Sequence, residues 1–144
     1  MAVTAKVYNL AITSLANKEI DWGSDTIKVS LHTSSYTPSQ TTHQYASSLT
    51  NEVANGNGYT TGGATLGSKT ETFSGQVKQF DAADVVWSTS TITARYAVIY
   101  DSTPGSAATN PLIAYVDFGQ DVSSSGGNFT LTWDAAGIFT VTVA

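Results

Sequence analysis

The strongest pattern in the chain is a period-two alternation of apolar and polar positions, and it is clearest from Thr91 to Ala144, where ITARYAVIY, LIAYVDF, NFTLTW and GIFTVTV follow one another. Such alternation marks strands with one buried face. In Thr93–Tyr100 it puts Ala94, Tyr96, Val98 and Tyr100 on one face and Thr93, Arg95, Ala97 and Ile99 on the other. Leu112–Phe118 is apolar on both faces apart from Asp117, which predicts a central strand covered on both sides. Phe129, Leu131 and Trp133 point one way, Asp134–Gly137 turns, and Phe139, Val141 and Val143 return, so the pattern predicts a C-terminal hairpin whose last strand belongs to a sheet. Ser123–Gly127 reads as a flexible connector, and Ser102–Asn110, with Pro104, as an exposed loop.

The first half is less regular. Val3, Ala5 and Val7 alternate with polar neighbours and predict a short strand. Ile12, Leu15, Ala16, Glu19 and Ile20 share one face of a helix expected around residues 9–18. Asp21–Asp25 is a turn, and Ile27, Val29 and Leu31 predict a half-buried strand. From Thr33 to Gly63 there is no strand pattern: Pro38 sits among Ser, Thr and Gln, residues 43–53 allow a helical turn or two, and Asn55-Gly56-Asn57-Gly58 holds two turn dipeptides. Strand-like pieces resume at 64–73 and 76–80, joined at Ser74-Gly75, then at Val85–Trp87. The whole reads as a mainly β, single-domain antiparallel sandwich or barrel-like fold, with at most one or two short helices in the N-terminal third. Residues 1–60 form its irregular part and 61–144 its regular scaffold.

Composition narrows the function. The 144 residues suffice for a sizeable core. Cysteine is absent, which removes disulfides and thiolate metal sites. Charged residues make up only 12%, and Ser and Thr fill 39 positions, so hydroxyls rather than ions solvate the surface. A low-charge polar surface suits protein contacts, where each buried charge needs a partner. Six basic residues and a net charge of −5 argue against nucleic acid. The N-terminus lacks the apolar core of a secretion signal and no stretch suits a bilayer span, so synthesis in the cytoplasm without a membrane association is expected.

Reactive constellations are missing from the pattern. His32 and His43 have no third imidazole to complete a metal site. No G-x-S-x-G elbow, calcium loop or phosphate loop occurs. Asp81 and Asp84 fit turn capping. Trp22, Trp87 and Tyr45 could stack sugars, although aromatics in β proteins more often fill cores. The expectation is a non-enzyme with no cofactor and no metal.

Several stretches in order carry a resemblance: NKEIDW with DTIKVSLHTSSYTP (17–38), NEV (51–53), NGYTTGGATL (57–66), WSTSTITARYAVIYDST (87–103), PLIAYVDFG (111–119) and the ending SSSGGNFTLTWDAAGIFTVTVA. The chain resembles a family of small structural proteins of tailed bacteriophages and prophages. The resemblance implies a virion structural protein. The role it favours is a capsid cement (decoration) protein on the outer head surface, with the major capsid protein as partner and self-association as a trimer. A tail, tail-tip or fibre-associated protein and a carbohydrate-binding module for host attachment are the rival readings. Irregular, weakly charged sequence beside the β body points to Ala2–Leu10, Thr33–Asn57 and the 102–110 loop as contact regions. The interface residues expected there are Val3, Lys6, Tyr8, Tyr36, Gln40, His43, Tyr45, Asn55, Asn57 and Pro104.

Overall fold

A computed structural model describes residues 2–144. The alternating segments become strands: β1 (Thr4–Val7), β2 (Ile27–His32), β3 (Ala64–Thr65), β4 (Thr70–Ser74), β5 (Val77–Asp81), β6 (Val85–Ser90), β7 (Thr93–Asp101), β8 (Leu112–Ser123), β9 (Gly127–Leu131) and β10 (Phe139–Thr142). One helix, α1 (Asn9–Ala16), and a 3-10 turn at Ala46–Ser48 complete the elements. All strand pairs are antiparallel. They build a five-stranded sheet in the order β1-β8-β7-β2-β3, a three-stranded sheet β10-β5-β4 and a two-stranded ribbon β6-β9. The mainly β, sandwich-like architecture with one short N-terminal helix matches the sequence reading.

The large sheet is covered on both faces, and the two covers differ. On one face Ile27, Val29, Leu31, Ala97, Ile99 and Val116 meet Phe80, Val85, Trp87, Phe129, Leu131 and Phe139 from the smaller sheets. Rings interlock there, with Phe80 stacked on Phe139 at 4.3 Å and Trp22 edge-on to both. On the other face Val98, Tyr100, Leu112 and Tyr115 lie under Tyr8, Ala11 and Tyr36. β8 is the interior strand expected from its two apolar faces. β2, expected to be half-buried, is buried at every position except Lys28, because it too lies inside the sheet with a cover on each side.

Three expectations fail for physical reasons. β9 and β10 do not form a hairpin: β9 pairs with β6 and β10 with β5, so the chain crosses between the two smaller sheets at Thr132–Ile138. Local alternation cannot distinguish two strands that pair with each other from two that pair elsewhere. Ala94 does not share a face with Tyr96, because a bulge intervenes, with Ala94 opposite Val122 and Tyr96 opposite Asp117. Gly119, at φ +77, lies in the extra loop of β8 and donates its N–H to Asp117 Oδ1. Ser123–Gly127 is no loose connector. Ser124 N–H donates to the Ile92 carbonyl at 2.9 Å, Ser124 Oγ meets Ser90 Oγ at 2.7 Å, and Gly126 N–H donates to Thr91 Oγ1.

α1 forms within the expected range but with a rotated face. Ala11 and Ser14 are buried and Ile12 is 53% exposed, because the helix lies close on the sheet where small side chains fit. It ends at Lys18, φ +60, where Lys18 N–H donates to Leu15 O and Glu19 N–H to Ser14 O, a left-handed cap that satisfies two terminal carbonyls. The hairpin between β4 and β5 turns at Gly75-Gln76, one residue beyond the expected site. Asn57-Gly58, both at positive φ, closes the tight turn bridged by Gly56 and Tyr59, as the dipeptide predicts.

Candidate contact surfaces

The irregular segment from Thr33 to Gly63 is built into the body. Gln40 carbonyl accepts Asn9 N–H at 2.9 Å, and Gln40 Nε2 donates to Val7 O at 2.9 Å. Leu112 N–H donates to Gln44 O, Ala46 N–H to Asn110 O, and Tyr45 bridges Pro111. Residues 33–50 therefore form a strap across the face of the large sheet. Tyr8 and Tyr36 are 0% and 1% exposed and joined through their hydroxyls at 3.0 Å. They have no surface to give a partner, which corrects the expectation for both. Burial raises both phenol pKa values. Gln40, His43 and Tyr45 are half-buried, and each has partners in its own chain: Val7, Tyr36 and Glu19 respectively. Removing 39–49 would strip these contacts and uncover the sheet, so the strap has a folding role.

The next part of the segment is clamped through Glu52. Its Oε1 accepts the Tyr59 hydroxyl at 2.7 Å and the Gly62 N–H at 2.6 Å, while Tyr59 Oη accepts Leu31 N–H. Tyr100 donates to Gly62 O at 2.7 Å, and burial with the nearby Glu52 charge pushes its pKa to about 12. A Cβ on Gly63 would lie 1.9 Å from Val29 O, so only glycine lets the segment close on β2. Asn55 and Asn57 are exposed beyond this clamp, although Asn55 Oδ1 accepts Thr61 N–H and Asn57 O accepts Thr91 N–H. Pro104 is exposed beside Tyr45, Glu19 and Lys18 in a shallow depression of about 500 Å³.

Lys6 is exposed on β1, the edge strand of the large sheet, and Val3 is exposed just before it. Here the sandwich stays open. A groove of about 590 Å³ runs between β1 and β8 on one side and β9 on the other, lined by Val3, Ala5, Val116, Phe118, Leu131 and Trp133 among others. Val3 is 64% exposed and Val122 38%. Because Tyr8 donates to Ile113 O, the even residues of β1 bond to β8 and the Val3 and Ala5 amides face outward. Sequence reading reached Val3 but not the groove. Its walls come from strands more than a hundred residues apart, and only the topology brings them together. A second exposed feature is Phe73, 64% exposed on β4, with Lys78 Nζ 5.0 Å above its ring and paired to Glu71 at 2.9 Å.

Among the described residues no reactive cluster joins these surfaces. Ser30 Oγ and His32 Nε2 lie 2.9 Å apart, and His32 Nδ1–H donates to Thr50 O at 2.7 Å, but both residues are almost fully enclosed, at 2% and 1% exposure. Among the described residues no group of three His, Cys, Asp or Glu is placed to hold a metal, and no helix is long and apolar enough to cross a membrane. Trp22 and Trp87, 3% and 6% exposed, are core rings and offer no sugar platform, which leaves half-buried Tyr45 alone of the three aromatics on which the carbohydrate reading stood. No family model, curated protein or solved structure matches the chain at a significant level.

Proposed function

We propose that this chain is a virion structural protein of a tailed bacteriophage, a capsid cement protein that binds the outer surface of the major capsid shell. The observation that carries the reading is the edge of the large sheet at β1, where outward-facing amides lie beside an apolar groove. Such an edge accepts contact from another chain through main-chain hydrogen bonds and pockets for alternate side chains. The low-charge, hydroxyl-rich surface and the order of family-like stretches along the sequence support it. Each contact can be modest, because many copies act together on a shell, and binding only the assembled form stabilises it by linkage.

Co-sedimentation of the purified chain with heads that lack it tests the reading. The wild type pellets with heads and raises their disruption temperature, and Val3→Asp, a surface change in the groove, weakens binding about tenfold or more while leaving the fold intact. Absence of wild-type binding to heads, with binding to tails instead, overturns the cement role.

A further inference from the structure

His43 sits where the strap meets the start of α1. Its Nδ1 lies 3.4 Å from Ser39 N and 3.1 Å from the Tyr36 hydroxyl. An amide N–H only donates, so Nδ1 is bare and the ring proton is on Nε2. Tyr36 then donates to Nδ1, and Tyr8 donates to Tyr36 across 3.0 Å. This gives a directed chain, Tyr8 to Tyr36 to His43, with the rings of both tyrosines 28° from the imidazole plane.

We propose that His43 is an acid-released latch, holding the strap on the sheet while its imidazole is neutral and freeing it when the imidazole is protonated. A proton on Nδ1 faces the Ser39 N–H, donor against donor. The Tyr36 hydroxyl can then no longer donate to Nδ1 and must accept instead, so one hydroxyl hydrogen of the enclosed Tyr8–Tyr36 pair is left without its acceptor. The other groups packed around this chain are His32 on β2, 5.0 Å from the Tyr36 ring, Tyr96 on β7 and Tyr115 on β8. The charged groups of the surrounding elements are engaged elsewhere or exposed: Glu52 holds Tyr59 and Gly62, Glu19 accepts from Tyr45, Asp117 pairs with Arg95, and Lys6 and Lys18 face outward. Among the described residues none lies within ion-pair distance of His43 to stabilise its cation.

Burial also holds the His43 pKa below the ordinary histidine value. The latch is therefore complete above the ordinary range and is lost as pH falls below it. Its release breaks the contacts of the adjoining Gln40, which caps Val7 O and Asn9 N–H, so acid would extend the open edge of β1 by one carbonyl.

Hydrogen exchange on the unmodified chain at about pH 7.5 and about pH 5, expressed as protection factors, tests this. The Asn9 amide and the strap amides should lose about tenfold or more in protection, the size of one or two lost hydrogen bonds, while β7 and β8 keep theirs. An NMR titration of both imidazoles should place the midpoint of opening on His43 rather than His32, and His43→Gln should abolish the pH dependence. Equal protection at the two pH values, opening that follows His32, a His43→Gln strap that still responds to acid, or loss of protection across the whole sheet would each overturn the latch.

Discussion

The two covers of the large sheet do the same job with different chemistry. Under the smaller sheets the contacts are interlocking apolar rings and aliphatic side chains, with Trp22 Nε1 the polar atom left without a partner. Under the strap, phenols and imidazoles meet in a hydrogen-bonded chain, and backbone bonds fix the cover. Apolar packing is non-directional and indifferent to pH, whereas a directed polar chain holds one geometry and can titrate. The first cover makes the scaffold stiff; the second makes its other face responsive.

The largest expected effect comes from breaking the apolar side. Ile99→Ala, at a position with 0% exposure, should lower unfolding stability by about 2–5 kcal/mol, read from denaturant midpoints, with no change in its pH dependence. On the strap side Tyr36→Phe should cost less globally, about 1–3 kcal/mol, because it leaves the buried Tyr8 hydroxyl unpaired. Its loss of exchange protection should fall first on the strap. Equal loss everywhere would erase the contrast between the faces.

Acid should sharpen the contrast through two opposing terms. Burial lowers the pKa of His32 as well as His43, so the fold prefers both neutral, and their contribution is lost as pH falls below the ordinary histidine range. Asp101 pulls the other way. Enclosed, with Oδ2 unpartnered and the Asp25 carboxyl beside it, its pKa is pushed up to about 6, so stability is lost as pH rises through that value. Asp101→Asn should gain about 1–3 kcal/mol at pH near 8 and leave a stability curve that falls only toward acid. Urea midpoints across pH for both proteins check the sign. The smallest effect belongs to Arg95→Ala, which removes a half-exposed pair with Asp117 and should cost about 0–1 kcal/mol.

How far the sequence could be read follows from the same division. The period-two segment Ile27–Leu31 and the continuous apolar run Leu112–Phe118 both revealed strands, because side-chain patterning is set locally by which faces meet the core. Partner choice was hidden: nothing in NFTLTW or GIFTVTV says that β9 and β10 pair with β6 and β5. The strap reads as a contact loop because Ser, Thr and Gln satisfy backbone groups in a buried connection as readily as they solvate an exposed one. Tyr8 and Tyr36 read as interface residues from their irregular, low-charge surroundings, whereas the fold encloses both. Val3 is exposed, while the groove beside it needs the topology to become visible.

The central functional claim is that the open edge at β1 is a contact surface on a viral head. A cryo-EM map of virions containing this chain tests it most directly. Density for the sandwich is expected on the outside of the head, seated where capsid subunits adjoin, with β1 and its groove against a capsid subunit or a sister copy. Density confined to the tail, or a head-bound chain whose β1 edge faces open solvent, would contradict it.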